Sequence, residues 1–409
     1  MKSKKWLVLL LVFAMILSLA ACSKKAANDP APSTDPVDNS APVENTAAQN
    51  DADVSASTEK TEDKGTVKIG VTGPQTGDYA YQGLGYVAVA EIAAELWNAK
   101  DGKCGGYTIE VVDYDDKNSG DEIAVIAEKL AEDPDVMGVI GSYTSGTCMV
   151  AAPIFQEYGV VEIASAGHAN FATTGDYIFR NNYMVQTESE GCLEAVTKTL
   201  GVSKIGILAV DTEWGHSTSE VMIDLMPDLG VELVCDVQYV LEGNDDYSSY
   251  VSTFINSGCE AVVCVAMPPT TQPFTIQMRQ AAPDMGIVGF GNMYDDSTLA
   301  NCGEYAEGMA IPVAYFNNEK DPDCKAFIDA FYTKTGRNPN TLDAQAYGGA
   351  MMICEAISKV GADRAAIRDY IANIEFICID GVTTFDETGA GQKGYYQVQV
   401  QDGKFVLVG

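Results

Sequence analysis

One stretch, residues 138–170, constrains the fold more than any other part of the chain. Two short apolar runs end at Ile140 and Ile163, and between them residues 151–158 carry apolar side chains at helical spacing. A polar turn follows each apolar run. The pattern predicts a strand–helix–strand unit whose two parallel strands are joined by a right-handed crossover. Both turns then lie at the carboxyl edge of a sheet, where open parallel sheets bind ligands.

The two turns carry groups that suit an anionic ligand. Ser145 and Thr147 lie in the first turn, and Ala166, Gly167 and His168 lie in the second. Hydroxyl groups and free amide groups at the start of a helix attract a carboxylate. A simpler interpretation is that Ser145 only caps its helix. Two such turns side by side favour a binding site over capping alone.

Strands and helices alternate through most of the remaining chain, which predicts the α/β class with parallel sheets. The predicted strands lie at 66–71, 107–114, 205–210, 231–239, 261–265 and 287–290. The last part of the chain differs, because the helices predicted at 321–335 and 344–360 follow each other directly. A hairpin predicted over 395–408, joined through Asp402 and Gly403, ends the chain and is expected to complete an earlier sheet.

The size and charge of the chain exclude some functions. Its 409 residues are enough for two lobes. Its formal net charge of -33 argues against nucleic-acid binding, which needs a cationic surface. The same charge disfavours adsorption to anionic lipid, except through a covalent anchor.

The N-terminus has the composition of an export signal. Lysines at 2, 4 and 5 precede an apolar run over 6–17, which is short for a membrane span. The sequence Leu-Ala-Ala-Cys that ends at Cys22 resembles the lipobox of bacterial lipoproteins, so we expect a signal peptide over 1–22 and a lipid on Cys22. An ordinary secretory signal is the alternative. Residues 23–65 are rich in Asp, Pro, Ala and Thr, which predicts a disordered tether.

An enzyme is the main competing class, since α/β sheets host many chemistries. The chain has only two histidines, and it has no His-Glu-x-x-His, Gly-x-Ser-x-Gly or phosphate-loop motif. Gly83 and Gly85 lack the third glycine of a dinucleotide fingerprint. We therefore predict no catalytic residue, no metal and no cofactor. Ten cysteines remain besides Cys22, and the sequence leaves their pairing open.

A set of motifs occurs in one order along the folded part: VKIGVTGPQTG, VMGVIG followed by TSG, VVEIASAGH, ILAVDTEWGHS and GVTTFDETG. This ordered set resembles the leucine/isoleucine/valine-binding family of type I periplasmic binding proteins, which serve ABC importers. The resemblance implies two Rossmann-like lobes with parallel sheets, joined by a three-crossover hinge. Lobe 1 is expected at 66–184 and 314–381, and lobe 2 at 185–313 and 382–409.

The resemblance also implies a set of ligand contacts in the first lobe and at the lobe boundary. Ser145, with Gly146 beside it, matches the serine that receives the ligand carboxylate. Ala166, followed by Gly167, matches a residue whose backbone groups contact the ligand. His168 stands where the family has a threonine, so this departure bears on the identity of the ligand.

The expected contacts from the second lobe depart further from the family pattern. Trp214 stands where a tyrosine is usual, and a flat aromatic ring there can cover an aliphatic side chain or face an ammonium group. Asn292 falls near the acidic residue that pairs with the ligand ammonium, and it lacks the full charge. Thr270 lies near an aromatic position of the family. Tyr81 and Gln82, after the first strand, are expected to line the mouth of the cleft.

These inferences lead to one expected function. We expect an extracellular substrate-binding protein of an ABC importer, which captures a branched-chain amino acid or a related carboxylate and delivers it to permease and ATPase subunits. An aromatic acid, an amide or a short polyamine is an alternative ligand, and a receptor module that reports to a signalling partner is an alternative role. The protein is expected to be a monomer held on the outer face of the cytoplasmic membrane through Cys22 alone.

Overall fold

The structure, a computed structural model, describes residues 62–100, 104–168 and 170–408. The predicted signal peptide, Cys22 and nearly all of the predicted tether lie outside the described residues. Within the part of the chain that is described, no helix is both long enough and apolar enough to cross a membrane.

Five parallel strands form the first sheet, and three helices connect them. The strands are β1 (Gly65–Gly73), β2 (Tyr107–Asp115), β3 (Val136–Ile140), β4 (Val161–Ala164) and β5 (Ile178–Arg180). Their spatial order is β2–β1–β3–β4–β5. The connecting helices are α1 (Ala80–Asn98), α2 (Gly120–Glu132) and α3 (Ser145–Tyr158). The strand–helix–strand unit predicted for 138–170 is confirmed as β3, α3 and β4. The strands β3 and β4 pair in parallel, as expected.

The local sequence explains why these elements form. On α2, Ile123, Ile126 and Leu130 recur at helical spacing, and all three are buried in one core cluster. Ser119 precedes α2, and its hydroxyl accepts the N–H of Glu122 at 3.4 Å, which caps the helix. Helix α3 begins at Ser145 rather than at 151. The apolar pattern predicted the later start because hydroxyl residues and a glycine, not apolar residues, occupy the first turn of the helix.

The second sheet starts with six strands that also pair in parallel. They are β6 (Lys204–Val210), β7 (Glu232–Leu233), β8 (Gln238–Val240), β9 (Ala261–Val265), β10 (Gly286–Gly289) and β11 (Ala310–Val313). Five helices accompany them: α4 (Val185–Glu194), α5 (Glu213–Leu229), α6 (Ser248–Asn256), α7 (Pro268–Ala281) and α8 (Asp296–Cys302). Each sheet with its helices is called a lobe below.

The C-terminal part returns to both lobes. Helices α9 (Pro322–Thr335), α10 (Thr341–Val360) and α11 (Arg364–Ala372) come first, and α10 packs against α1 of the first lobe. Three short strands follow: β12 (Phe376–Cys378), β13 (Gly381–Phe385) and β14 (Gly391–Gln392). The predicted hairpin is confirmed as β15 (Tyr396–Gln401) and β16 (Lys404–Leu407), which extend the second sheet to the order β16–β15–β11–β10–β9–β6–β7. The predicted α/β class with two lobes is confirmed.

The residues that follow the boundary expected at 381–382 still contact the first lobe. Phe385 packs against Phe179 of the first lobe, with ring centroids 5.0 Å apart, and Ala390 forms a bridge with Arg180. The next strand, β15, pairs with β11 of the second lobe. We propose that the third crossover therefore lies between Gln392 and Tyr396. The other lobe boundaries stay predictions.

Candidate ligand-binding cleft

A cavity of about 60 Å³ lies between the two lobes, where the carboxyl ends of their central strands face each other. One buried water needs about 10–15 Å³, so the cavity can hold several small groups. The loops after β3, β4 and β5 line it from one side, and α4 with the loops after β6, β9 and β10 lines it from the other. The lining residues are Tyr143, Ser145, Ser165, Gly167, Asn182, Tyr183, Glu188, Trp214, Met267, Phe290, Gly291, Asn292, Thr341 and Leu342.

A second, wider cavity of about 420 Å³ adjoins the first and shares Ser145, Trp214 and Met267 with it. Gly146 and His168 line this second space. The structure therefore brings six of the predicted site residues to one cleft, and they come from both lobes: Ser145, Gly146, Gly167, His168, Trp214 and Asn292.

Ser145 is the first residue of α3 and presents hydrogen-bond donors to the cleft. Its Oγ accepts the backbone N–H of His168 at 3.1 Å, which leaves the hydroxyl hydrogen of Ser145 available to another acceptor. The N–H groups of Ser145, Gly146 and Thr147 donate to no atom of the described chain, as is usual in the first turn of a helix. This end of the cleft can therefore bind an anion.

His168 lies beside Ser145 and faces the second lobe. Its Nδ1 accepts the N–H of Asn170 at 3.2 Å, so the proton of the neutral ring belongs on Nε2. That Nε2 lies 3.5 Å from a carboxylate oxygen of Glu213, on α5. Because Glu213 is largely exposed, this contact contributes little to stability, but it joins the two lobes across the cleft.

Trp214 covers the cleft from the second lobe. Thr212 caps α5 by accepting the N–H of Gly215 at 3.3 Å, which fixes Trp214 in the first turn. The indole ring lies against Gly167 so closely that a Cβ atom there would come within 2.7 Å of Nε1. The same ring meets Phe290 edge to face, with ring centroids 5.7 Å apart. Gly167 is therefore needed for close approach of the lobes.

Glu188 on α4 lines the cleft, and the sequence analysis missed it. Its Oε1 accepts the N–H of Gly291 at 2.9 Å and the hydroxyl of Tyr183 at 3.1 Å. Burial raises the pKa of Glu188 to about 7, although these two hydrogen bonds act in the opposite direction. The surrounding sequence, Gln-Thr-Glu-Ser-Glu, resembles an exposed helical face, and only the packing of α4 against the loop after β10 reveals the site.

Asn292 lies next to Glu188 in the lining of the cleft. Its Nδ2 donates to the carbonyl of Ala266 at 3.3 Å and contacts Sδ of Met267 at 3.1 Å. Its Oδ1 is buried and accepts no hydrogen bond from the described residues. Asn292 thus adds an unused acceptor on the same side of the cleft as Glu188.

Four predicted contacts do not reach the cavity lining. Gln82 is fully buried and binds Asp343 and Asn340 through its amide group, at 3.0 and 2.9 Å. Thr270 is fully buried, and its hydroxyl accepts the N–H of Gly243. The remaining two are Tyr81, whose hydroxyl group interacts with that of Tyr143, and Ala166, which is buried. As ligand contacts, these four residues stay predictions that the geometry does not support.

The chemistry of the cleft suits binding. One side presents the donors of α3, and the other presents the acceptors Glu188 and Asn292, with the apolar surfaces of Trp214, Met267 and Phe290 near them. In the described part of the chain, no group of three or more His, Cys, Asp or Glu residues is arranged to hold a metal ion. A small molecule with a polar end and an apolar body matches this lining.

The sequence and the fold are similar to those of known solute-binding proteins. A family model described as "Periplasmic binding protein" matches residues 66–404. The leucine-, isoleucine-, valine-, threonine- and alanine-binding protein of Pseudomonas aeruginosa is 27% identical over 329 residues, which cover 79% of this chain and 87% of that protein.

Solved structures share the fold at lower identity. A branched-chain amino acid transporter substrate-binding protein of Streptococcus pneumoniae, in complex with isoleucine, has a TM-score of 0.76 at 22% identity, and the match covers 84% of this chain and 99% of that one. A solute-binding protein of an ABC transporter from R. palustris, in complex with benzoate, has a TM-score of 0.75 at 19% identity, with 84% and 96% covered.

Proposed function

The chain belongs to the periplasmic binding protein family, whose members bind solutes without transforming them, and from this premise we propose that it captures a small carboxylate-bearing solute for an ABC importer. The observation that carries this proposal is the cleft between the lobes, where the first turn of α3 offers the Ser145 hydroxyl and unpaired N–H groups. These donors suit a carboxylate, because the positive end of the helix dipole adds to the hydrogen bonds.

Capture follows from the contacts that cross the cleft. Trp214 meets Gly167, His168 approaches Glu213, and the hydroxyl of Tyr143 lies 3.6 Å from Sδ of Met267. These contacts form only when the lobes approach each other. A solute that touches both lobes therefore shifts the population towards the closed form, which then docks on a permease.

The relatives suggest what the solute is. The Pseudomonas protein is named for five aliphatic or small amino acids, and the Streptococcus structure holds isoleucine. The apolar faces of Trp214, Met267 and Phe290 suit an aliphatic side chain of this kind. A simple aromatic acid is the second candidate, because a protein of the same fold is in complex with benzoate.

The cellular setting rests on the N-terminal sequence. We propose that the signal peptide over 1–22 is removed, that a lipid on Cys22 anchors the protein outside the cytoplasmic membrane, and that residues 23–65 hold the lobes away from the surface. Metabolic labelling with a fatty acid checks the anchor, and loss of the label in a Cys22→Ala variant is the expected result. Equal labelling of that variant would contradict it.

The binding site is tested by the double variant Ser145→Ala with Trp214→Ala. A solute at about one hundred times its Kd stabilises the folded protein by about 2.7 kcal/mol, and we expect the double variant to lose this gain in a thermal-shift assay. The matched control is Ser252→Ala with Tyr332→Ala, a serine and a large aromatic residue on the surface away from the cleft. Full stabilisation of the double variant would place the site elsewhere.

The nature of the solute is tested by calorimetry with the common amino acids, benzoate and amines that lack a carboxylate. We expect at least one carboxylate to bind. Binding of amines alone would contradict the proposed polarity of the cleft.

A further inference from the structure

A carboxyl group without a cationic partner stands at the acceptor side of the cleft. Glu188 lines the cavity, and no Lys, Arg or His residue does so among the described residues. No ion pair within those residues includes Glu188. A carboxylate removed from water is costly unless a cation or several hydrogen bonds compensate for it. The charge balance of this site is therefore incomplete on the protein side.

The hydrogen bonds of Glu188 leave one oxygen unused. Both donors, the N–H of Gly291 and the hydroxyl of Tyr183, bind Oε1. Oε2 accepts no hydrogen bond from the described chain. Unlike Oδ1 of Asn292, it is not among the unpaired atoms that the protein encloses completely. The side chain as a whole is partly exposed. Since Glu188 lines the cavity, the cavity is the space into which its free acceptor opens.

A second acceptor points to the same conclusion independently. Oδ1 of Asn292 is enclosed and unpaired, although Asn292 is anchored through its Nδ2. Buried carbonyl oxygens almost always accept a hydrogen bond. Two unsatisfied acceptors on one wall of the cavity call for a ligand group with several N–H donors.

We propose that Glu188, assisted by Asn292, binds a cationic nitrogen of the solute, so that the solute is an amino acid and not a simple carboxylic acid. This inference rests on the proposed function, since it names the class of solute for the same cleft. The carboxylate of the solute lies at the Ser145 end, and its ammonium group lies at the Glu188 end. An ammonium group has three donors, which match the free oxygens of Glu188 and Asn292.

The ligand role of Glu188 can be separated from a structural one. Its structural hydrogen bonds use Oε1 only as an acceptor, and the amide of glutamine offers an acceptor of the same shape. Glu188→Gln therefore keeps the links to Gly291 and Tyr183 but removes the charge. It also places an amide N–H₂ donor where a cationic nitrogen is proposed to lie.

The experiment compares matched solutes on matched variants by calorimetry. The wild-type protein is titrated with the common amino acids, with benzoate and with 4-methylpentanoate, which is leucine without its amino group. Glu188→Gln is expected to weaken the binding of an amino acid about thirtyfold or more, because it removes one member of a buried charge pair. Glu190→Gln is the control, since this carboxylate accepts an exposed hydrogen bond from Gln186 on the same helix. It is expected to bind like the wild type.

The results separate failure of this inference from failure of the proposed function. Amino-acid binding that Glu188→Gln leaves within about twofold would overturn the inference, because removal of a buried charge pair changes affinity far more. Tight binding of benzoate or 4-methylpentanoate without binding of any amino acid would overturn it too, and in both cases the carboxylate-binding cleft would stand. If none of these carboxylates binds the wild-type protein, both the proposed function and this inference fail. A circular dichroism spectrum and an unfolding curve of each variant show that it is folded.

Discussion

Glu162 on β4 and Glu188 on α4 are both carboxyl groups removed from bulk water, but their surroundings differ. Glu162 is fully buried in the first lobe, paired in register with Val139 and Ile178 of the neighbouring strands. Neither of its oxygens accepts a hydrogen bond from the described chain, and burial raises its pKa well above the ordinary value. Glu188 accepts two hydrogen bonds and lines the cleft.

The comparison shows that a raised pKa alone does not identify a binding residue. Burial is the leading cause of the shift at both sites. What distinguishes Glu188 is access to a cavity that both lobes line, together with a neighbouring unpaired acceptor. Glu162 has no such access, so a substitution there should change the stability of the protein and not its affinity for the solute.

The largest effect is expected for Glu162→Leu, which replaces the enclosed carboxyl group with an apolar side chain of similar size. We expect the free energy of unfolding at neutral pH to rise by about 1–3 kcal/mol, the cost of a buried polar group without a partner. The pKa of Glu162 in the folded protein lies above the unfolded value of about 4.3. The folded state therefore loses stability relative to the unfolded state as pH rises above that value. The gain in the variant should therefore be smaller near pH 4.

Urea unfolding curves at several pH values measure this gain. Glu128→Leu, on the exposed face of α2, is the control for a change in net charge. A loss of stability in Glu162→Leu at neutral pH would show that the carboxyl group has a structural role. Unchanged affinity for solute is expected, because Glu162 does not line the cleft.

The second effect concerns pH and binding at Glu188. An ammonium group favours the ionised carboxylate, so affinity for an amino acid should be highest above pH 7. It should fall about tenfold per pH unit well below 7 as Glu188 takes up a proton. Tyr183 and Cys192 also face Glu188, but the pKa of each is raised well above its ordinary value, so neither ionises in this range.

Calorimetry between pH 5 and 8 measures this dependence in the wild type and in Glu188→Gln. The pH dependence that persists in the variant does not come from Glu188. An identical pH profile in the two proteins would contradict the role given to Glu188.

The smallest effect is the change in ligand-free stability caused by Glu188→Gln. We expect a gain at pH 8 that is smaller than that of Glu162→Leu, because Glu188 is partly exposed and the two hydrogen bonds to its side-chain oxygen are kept when the charge is removed. The gain should shrink as pH falls below 7 and be smallest below pH 4, where the carboxyl group is mostly neutral in both the folded and the unfolded protein. Thermal unfolding without solute measures it. A gain as large as that of Glu162→Leu would remove the proposed difference between the two sites.

Much of the fold follows from local patterns. The alternation of apolar strands with helical segments predicted parallel sheets, and the hairpin through Asp402 and Gly403 was predicted from turn chemistry and is confirmed, with both residues at positive φ. The turn at Ser145 was predicted from its position after a strand. Local patterns suffice here because strand ends and helix starts are set by neighbours in the sequence.

Contacts between distant segments were harder to predict. Gln82 and Thr270 were expected in the cleft, but each is buried behind it and bonded to residues far along the chain or in another loop. Glu188 was overlooked because its neighbours are polar, and its burial depends on Gly291, about one hundred positions away. One-dimensional spacing does not state which of several polar residues near a strand end faces the cavity.

The sequence by itself determined the α/β class, the alternating order of elements and the position of the α3 donors, because these depend on hydrophobic periodicity and on residues close together in the chain. The tertiary structure alone decided that Glu188, on α4, faces the cleft, whereas Glu162, on β4, is enclosed by neighbouring segments of the chain. The physical reason is that burial, and with it the pKa and the bonding of a carboxyl group, is set by what packs around it from elsewhere in the chain.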